Sequence, residues 1–142
     1  GDRPVLAEIR ACMKAAAVDL SGQLTLPELA GLLSLADGVV TPDTGPMHLA
    51  AAVGAPLVAL FGPTAPWRTG PYGPHRILRL SLACSPCFRR SCPDPQCLSR
   101  LSVAEVYDAL RQALAAGPPP GRRRLKVDFQ GYSYDIMEQC YA

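Results

Sequence analysis

Val39-Val40-Thr41-Pro42-Asp43-Thr44-Gly45-Pro46-Met47-His48 decides how this chain reads. Val39 to Thr41 is a brief buried strand, Pro42 to Gly45 a tight loop, and Pro46 opens a helix that runs to Val53. Proline suits that first helical turn because no N–H is needed there. Gly54-Ala55-Pro56 turns the chain, and Leu57-Val58-Ala59-Leu60-Phe61 follows with no polar face. A strand of that kind is covered on both sides, as in a parallel sheet flanked by helices.

The segments around this unit fit the same architecture. Upstream, Leu6, Ile9, Met13 and Ala16/Ala17 recur at helical spacing and predict a helix from Val5 to Ala17, after a turn-like start at Gly1 to Pro4. A polar break at Asp19-Leu20-Ser21-Gly22 precedes a second helix. Thr25 can cap it, Pro27 fits its first turn and Glu28 completes a capping box. That helix ends near Asp37-Gly38. Downstream, Ile77 to Leu80 suggests another strand. Val103 to Leu114 is an amphipathic helix with Val106, Leu110 and Leu114 on one stripe. Helices alternating with strands define an α/β fold with a parallel sheet. Ala83 to Cys97 is irregular and rich in proline and cysteine, Pro118-Pro119-Pro120-Gly121 reads as a linker, and Arg122-Arg123-Arg124 as a solvated basic run.

Composition narrows the function. With 142 residues, 49% of them hydrophobic and 18% charged, the chain has the size of one domain and the means to build a core. A net charge of +2 and 6% aromatic residues argue against a nucleic-acid surface. No apolar run approaches the roughly 18–20 residues that span a bilayer. Gly1 to Arg10 lacks an apolar signal core, so nothing suggests secretion.

Ligands of open α/β sheets sit beyond the carboxyl ends of the strands. The loop at Asp43 to Gly45 occupies that place. Gly45 lets a ligand approach the backbone, and the free N–H groups of the first helical turn suit a phosphate or diphosphate. His48, in the same turn, is read as a hydrogen-bond donor. Asp43 would be repelled by phosphate and should face hydroxyl groups, such as those of a sugar. On these residues alone a second reading stands beside this one, in which Asp43 or Thr44 only caps the helix and His48 packs locally.

The run VVTPDTGPMHLAAAVGAPLVALFGPTAPWRTGPYG resembles glycosyltransferase family 9, the heptosyltransferases of lipopolysaccharide core synthesis. The resemblance is carried by the Asp-Thr-Gly-x-x-His loop, the Gly-Ala-Pro turn, the Phe-Gly-Pro-Thr strand exit and the Gly-Pro-Tyr-Gly loop. The Leu-Thr-Leu-Pro-Glu-Leu-Ala helix start and the Cys-Ser-Pro-Cys-Phe segment also match, so it covers roughly Asp19 to Leu114. It implies a Rossmann-like domain, the C-terminal half of a GT-B glycosyltransferase: residues 1–116 as an N-terminally incomplete donor-binding domain, and 117–142 as a linker and tail outside the family pattern.

By the same resemblance the donor is ADP-heptose, transfer inverts the anomeric carbon, and neither a metal nor another cofactor is needed. Asp43 should contact sugar hydroxyls, Thr44 and Gly45 should line the diphosphate with His48 near it, and Leu24 should lie near the adenine. Thr64 and Trp67 should border the cleft, although Trp67 also reads as a partly buried packing residue. No catalytic residue is expected here, because the general base belongs to the absent N-terminal half, so this chain alone should be inactive. The acceptor is the lipid A-linked lipopolysaccharide core, reached through that missing half. This implies a cytoplasmic protein in peripheral contact with the inner face of the inner membrane, and no nucleic-acid partner. Two rivals remain: another GT-B sugar-nucleotide enzyme, and a non-catalytic nucleotide- or metal-binding module.

Cys84, Cys87, Cys92 and Cys97 are open to three readings: a loop of free thiols, a structural metal site built on the Cys-x-x-Cys pair, or disulfides. Cys12 reads as helix packing and Cys140 as tail.

Overall fold

The computed structural model describes residues 3–117, 124–129 and 132–137. Helix α1 (Arg3–Cys12) and α2 (Leu26–Leu35) precede β1 (Val39–Pro42), α3 (Gly45–Ala52) and β2 (Leu57–Phe61). The one-turn α4 (Pro66–Thr69), β3 (Arg76–Arg79), the short α5 (Gln96–Ser99) and α6 (Val103–Ala116) follow. The three strands form one parallel sheet in the order β1-β2-β3, with Val39 opposite Leu57 and Val58 opposite Arg76. The chain therefore has the α/β class its sequence implies, with β2 in the centre.

That central strand divides its side chains between two layers, as its period of two demands. Leu57, Ala59 and Phe61 join Leu33 of α2 and Met47, Ala50 and Ala51 of α3 in one buried cluster. Val58 faces the other way, onto Ala109 and Ala113 of α6, with Leu60, Leu78 and Leu110 packed alongside. Both faces of the sheet are thus covered by helices.

Local chemistry fixes the element ends. At α2, the Glu28 carboxylate accepts from both the Thr25 hydroxyl (2.6 Å) and the Thr25 amide (2.7 Å). At α6, Ser102 and Glu105 make the same box, with a reciprocal bond from the Glu105 amide to the Ser102 hydroxyl. Helix α3 ends in a Schellman motif: Ala55 N–H reaches Ala50 O and Gly54 N–H reaches Ala51 O, each at 3.0 Å. Gly54 adopts φ 70° there, a conformation glycine takes without strain.

Three expectations need correction. Helix α1 stops at Cys12 rather than Ala17, and it already includes Arg3 and Pro4. Among the described residues its stripe joins neither core cluster: Ile9 and Met13 stay about half exposed, and packing of the apolar face is what normally sustains a helix. On α6 the residues that bury most deeply are Ala109 and Ala113, while Leu114 is 43% exposed. The small side chains let the helix approach the sheet closely; Leu110 packs on the sheet face as expected, and both Leu110 and Leu114 lie against Gly38. The region after Gly117 contains an unexpected antiparallel pair, β4 (Arg124–Phe129) and β5 (Tyr132–Met137). The expected linker at Pro118 to Gly121, Arg122, Arg123, Cys140 and the first two residues lie outside the described residues.

Candidate functional site

Because β1, β2 and β3 run parallel, their exits share one edge of the sheet. Pro42 pairs with Leu60, and Phe61 with Arg79, so the loops beginning at Asp43, Gly62 and Leu80 start side by side. The Asp43 to His48 segment lies on that edge. Thr44 occupies the N-cap position of α3 with φ −146° and ψ 170°, yet no side chain caps the helix. The Thr44 hydroxyl turns back towards Thr41 Oγ1 and Pro42 O, each 3.3 Å away. Asp43 also points elsewhere: its Oδ2 accepts a hydrogen bond from Thr69 Oγ1 at 2.7 Å. The capping reading of these two residues is therefore not what the fold shows. No side chain caps the first turn of α3, and Gly45 is exposed there; Pro46 carries no N–H, and the Met47 N–H donates to Thr44 O at 3.0 Å.

The remaining expected site residues are distributed around this loop. His48 is exposed on α3. Thr64 is half-buried, beyond the end of the neighbouring β2. Leu24, also half-buried, belongs to a separate segment immediately before the Thr25 cap of α2. Trp67 is 72% exposed, which removes the packing reading. Its ring is instead covered on one side by Arg79, whose guanidinium carbon lies 5.3 Å from the ring centroid.

The Pro/Cys-rich loop closes on the same strand exits. Ser85 Oγ donates to Gly62 O at 2.7 Å in a buried contact, Arg79 donates to Ser85 O, and the Cys87 and Phe88 amides both donate to Pro63 O (2.9 and 2.8 Å). Phe88 adopts φ 55°, a left-handed conformation costing a non-glycine residue about 1–2 kcal/mol. Arg68 stacks on its ring at 5.3 Å. Between Phe61 and Arg100 the chain carries Arg68, Arg76, Arg79, Arg89, Arg90 and Arg100 against a single acid, Asp94, so this part of the surface is strongly cationic.

Cys84, Cys87, Cys92 and Cys97 line a groove of about 510 Å³ together with Arg89 and Arg90. They are free thiols, as is Cys12, which is exposed rather than packed. Among the described residues, no three His, Cys, Asp or Glu side chains gather in a way that would hold a metal ion.

Sequence reading missed Thr69, Arg79 and Ser85. Pro66 and Gly70 mark a turn in the sequence, but each of these three side chains has a partner far from it along the chain, Thr69 and Asp43 being 26 residues apart. Among the described residues no helix is long and apolar enough to cross a membrane.

Comparison with known proteins places these features in a family. The model of glycosyltransferase family 9 (heptosyltransferase) matches residues 2–98. Lipopolysaccharide heptosyltransferase 1 of Pseudomonas aeruginosa is 34% identical over 111 residues, covering 66% of this chain and 31% of the relative. Lipooligosaccharide heptosyltransferase 2 of Haemophilus influenzae is 45% identical over 74 residues, 49% of this chain and 21% of the relative. Among solved structures, a family 9 glycosyltransferase from Veillonella parvula aligns with a TM-score of 0.69 and 26% identity over 82% of this chain and 34% of its own. The E. coli ADP-heptose lps heptosyltransferase II aligns with a TM-score of 0.65 and 27% identity over 81% and 34%. The GT-B class expected from the sequence agrees with these neighbours. The chain spans about a third of the length of the first curated relatives it matches, 31% of those from Campylobacter jejuni O:2 and P. aeruginosa.

Proposed function

We propose a function on one premise: the chain belongs to glycosyltransferase family 9, the heptosyltransferase family. It forms the donor-binding part of an enzyme that transfers heptose from ADP-heptose to the lipopolysaccharide core. The observation carrying this reading is the N-terminus of α3, which no side chain caps, beside the Asp43 carboxylate, which Thr69 holds through Oδ2. A diphosphate suits the first, through backbone N–H groups and the helix dipole. Sugar hydroxyls suit the second. Thr44 and Gly45 line the diphosphate with His48 near it, Asp43 orients the sugar, Leu24 borders the adenine and Thr64 the cleft.

In the inverting transfer an acceptor hydroxyl attacks the anomeric carbon, its C–O bond to the diphosphate breaks, and ADP departs with the electron pair. The α3 N-terminus stabilises the charge developing on that leaving group. The acceptor proton goes to a base outside this chain, so residues 1–142 by themselves bind donor weakly and do not transfer. The longer protein works at the inner face of the inner membrane, where its lipid-linked acceptor lies.

Nucleotide competition tests the reading. Displacement of a labelled donor by ADP and not by UDP is expected, as is absence of turnover by the purified chain. A preference for UDP would assign a different sugar nucleotide. Heptose transfer by the 142-residue chain alone would overturn the proposed division of labour.

A further inference from the structure

Helix α4 is a single turn, yet each of its last three side chains is engaged by a different part of the fold. Trp67 meets Arg79 of β3, Arg68 meets Phe88 of the Pro/Cys-rich loop, and Thr69 meets Asp43 after β1. Both ends of the turn are pinned. Pro66 opens it, and Gly70 closes it with an N–H bond to Pro66 O at 2.8 Å. A Cβ on Gly70 would lie 2.2 Å from that same oxygen, so only glycine fits without movement. Thr69 consequently has a fixed origin from which to reach Asp43.

The Thr69 hydroxyl carries one proton and has two acceptors within reach. Ala65 O lies 3.3 Å away and Asp43 Oδ2 lies 2.7 Å away. The shorter, charge-assisted bond takes the proton. Asp43 is thereby held through Oδ2, which leaves Oδ1 for a ligand.

We infer that Thr69 is a positioning residue for the donor sugar, holding the Asp43 carboxylate in the one orientation that presents Oδ1 to a sugar hydroxyl. The inference rests on the role proposed for Asp43. Thr69 acts through Asp43 alone, so its contribution is confined to the sugar and does not extend to the nucleotide.

The test is titration of the full-length protein with ADP-heptose and with ADP. Thr69→Val keeps the shape of the side chain and removes the hydroxyl; Thr69→Ala serves if valine crowds the turn. Affinity for ADP-heptose should fall about three- to tenfold, the lower bound being the freedom of three staggered χ1 wells, while affinity for ADP stays unchanged. Thr69→Ser, which retains the donor, should restore it. In an Asp43→Ala background Thr69→Val should have no further effect. Equal losses for ADP and ADP-heptose, no loss at all, or a loss that persists undiminished in the Asp43→Ala background would overturn the inference and leave the role of Asp43 intact. If Asp43→Ala itself leaves ADP-heptose affinity unchanged, the role of Asp43 fails and the inference fails with it.

Discussion

Arg79 covers one face of Trp67, with its guanidinium carbon 5.3 Å from the ring centroid, and donates to the Ser85 carbonyl with the same guanidinium. One side chain on an edge strand therefore ties α4 to the Pro/Cys-rich loop. The arrangement leaves Arg79 Nε buried without a hydrogen-bond partner among the described residues, so the stack and the Ser85 bond must outweigh that loss.

Arg79→Leu should lower stability by about 1–2 kcal/mol through loss of the cation–π contact and the carbonyl bond. Trp67 is the only tryptophan in the chain, so its fluorescence reports the change directly. At 72% exposure the indole should emit near the wavelength of free indole in water and be quenched by iodide. Removing Arg79 should increase that quenching. Unaltered fluorescence and an unaltered urea midpoint would show that the stack contributes nothing in solution.

Asp43→Ala should weaken ADP-heptose binding by about tenfold or more, the worth of a hydrogen bond to a charged group, with ADP binding little changed. His48→Ala should weaken both, because its side chain is proposed to lie near the diphosphate. Calorimetric titration of each variant of the full-length protein separates the two. An equal loss for both ligands in Asp43→Ala, together with a lower melting temperature, would reduce Asp43 to a structural residue.

Gly70→Ala places a methyl group against the Pro66 carbonyl with no flexible side chain able to yield. Since φ at Gly70 is −70°, a conformation open to any residue, the penalty is steric rather than torsional. A loss of about 1–3 kcal/mol is expected, as for other overpacked sites, with disruption of the Asp43–Thr69 bond. Chemical denaturation measures the loss. Stability equal to that of the unsubstituted chain would show that α4 can reopen freely.

Acid should weaken the fold in two steps. Hydrogen bonds from the Thr25 hydroxyl, then its amide, hold the Glu28 carboxyl below its usual value, and those from Ser102 do the same for Glu105. Burial lowers the His75 imidazole, against an opposing bond from its Nε2–H to Tyr72 O. A group whose folded value is lowered binds fewer protons folded than unfolded. The stability it adds is complete above its unfolded value and fades as pH falls through the folded one. Urea midpoints should therefore fall first below about pH 6.5, from His75, and again below about pH 4.3, from the two glutamates. Glu105→Gln should flatten the second step only. A midpoint constant from pH 7.5 to pH 3 would contradict this.

What could be read in advance was whatever short-range chemistry determines. The β1-α3-β2 unit follows from Pro46, Gly54 and an unbroken apolar strand, all acting within a few residues of themselves. The same holds for the capping box at Thr25. Features set by distant partners were misread or missed. Helix α1 has the right periodicity, but among the described residues the stripe through Ile9 and Met13 finds no core to cover. The choice of Ala109 and Ala113 over Leu114 depends on how closely α6 approaches β2, which periodicity does not encode. For the site, Asp43 to His48 stood out by position at a strand exit. Thr69 did not, because its bond to Asp43 joins residues 26 apart in sequence.

The shared edge of the three strand exits has an evolutionary consequence. The buried side chains of the central strand face helices on either side, while the segments beginning at Asp43, Gly62 and Leu80 emerge beyond one end of the sheet. Substitutions at the exposed positions of those segments, such as Gly45 and His48, can alter the surface they present without perturbing the interior. Insertions there lengthen a loop at modest entropic cost, roughly 0.6 kcal/mol for each doubling of its length. Scaffold and selectivity can thus drift at different rates, so sequences sharing this interior are free to diverge in what they recognise.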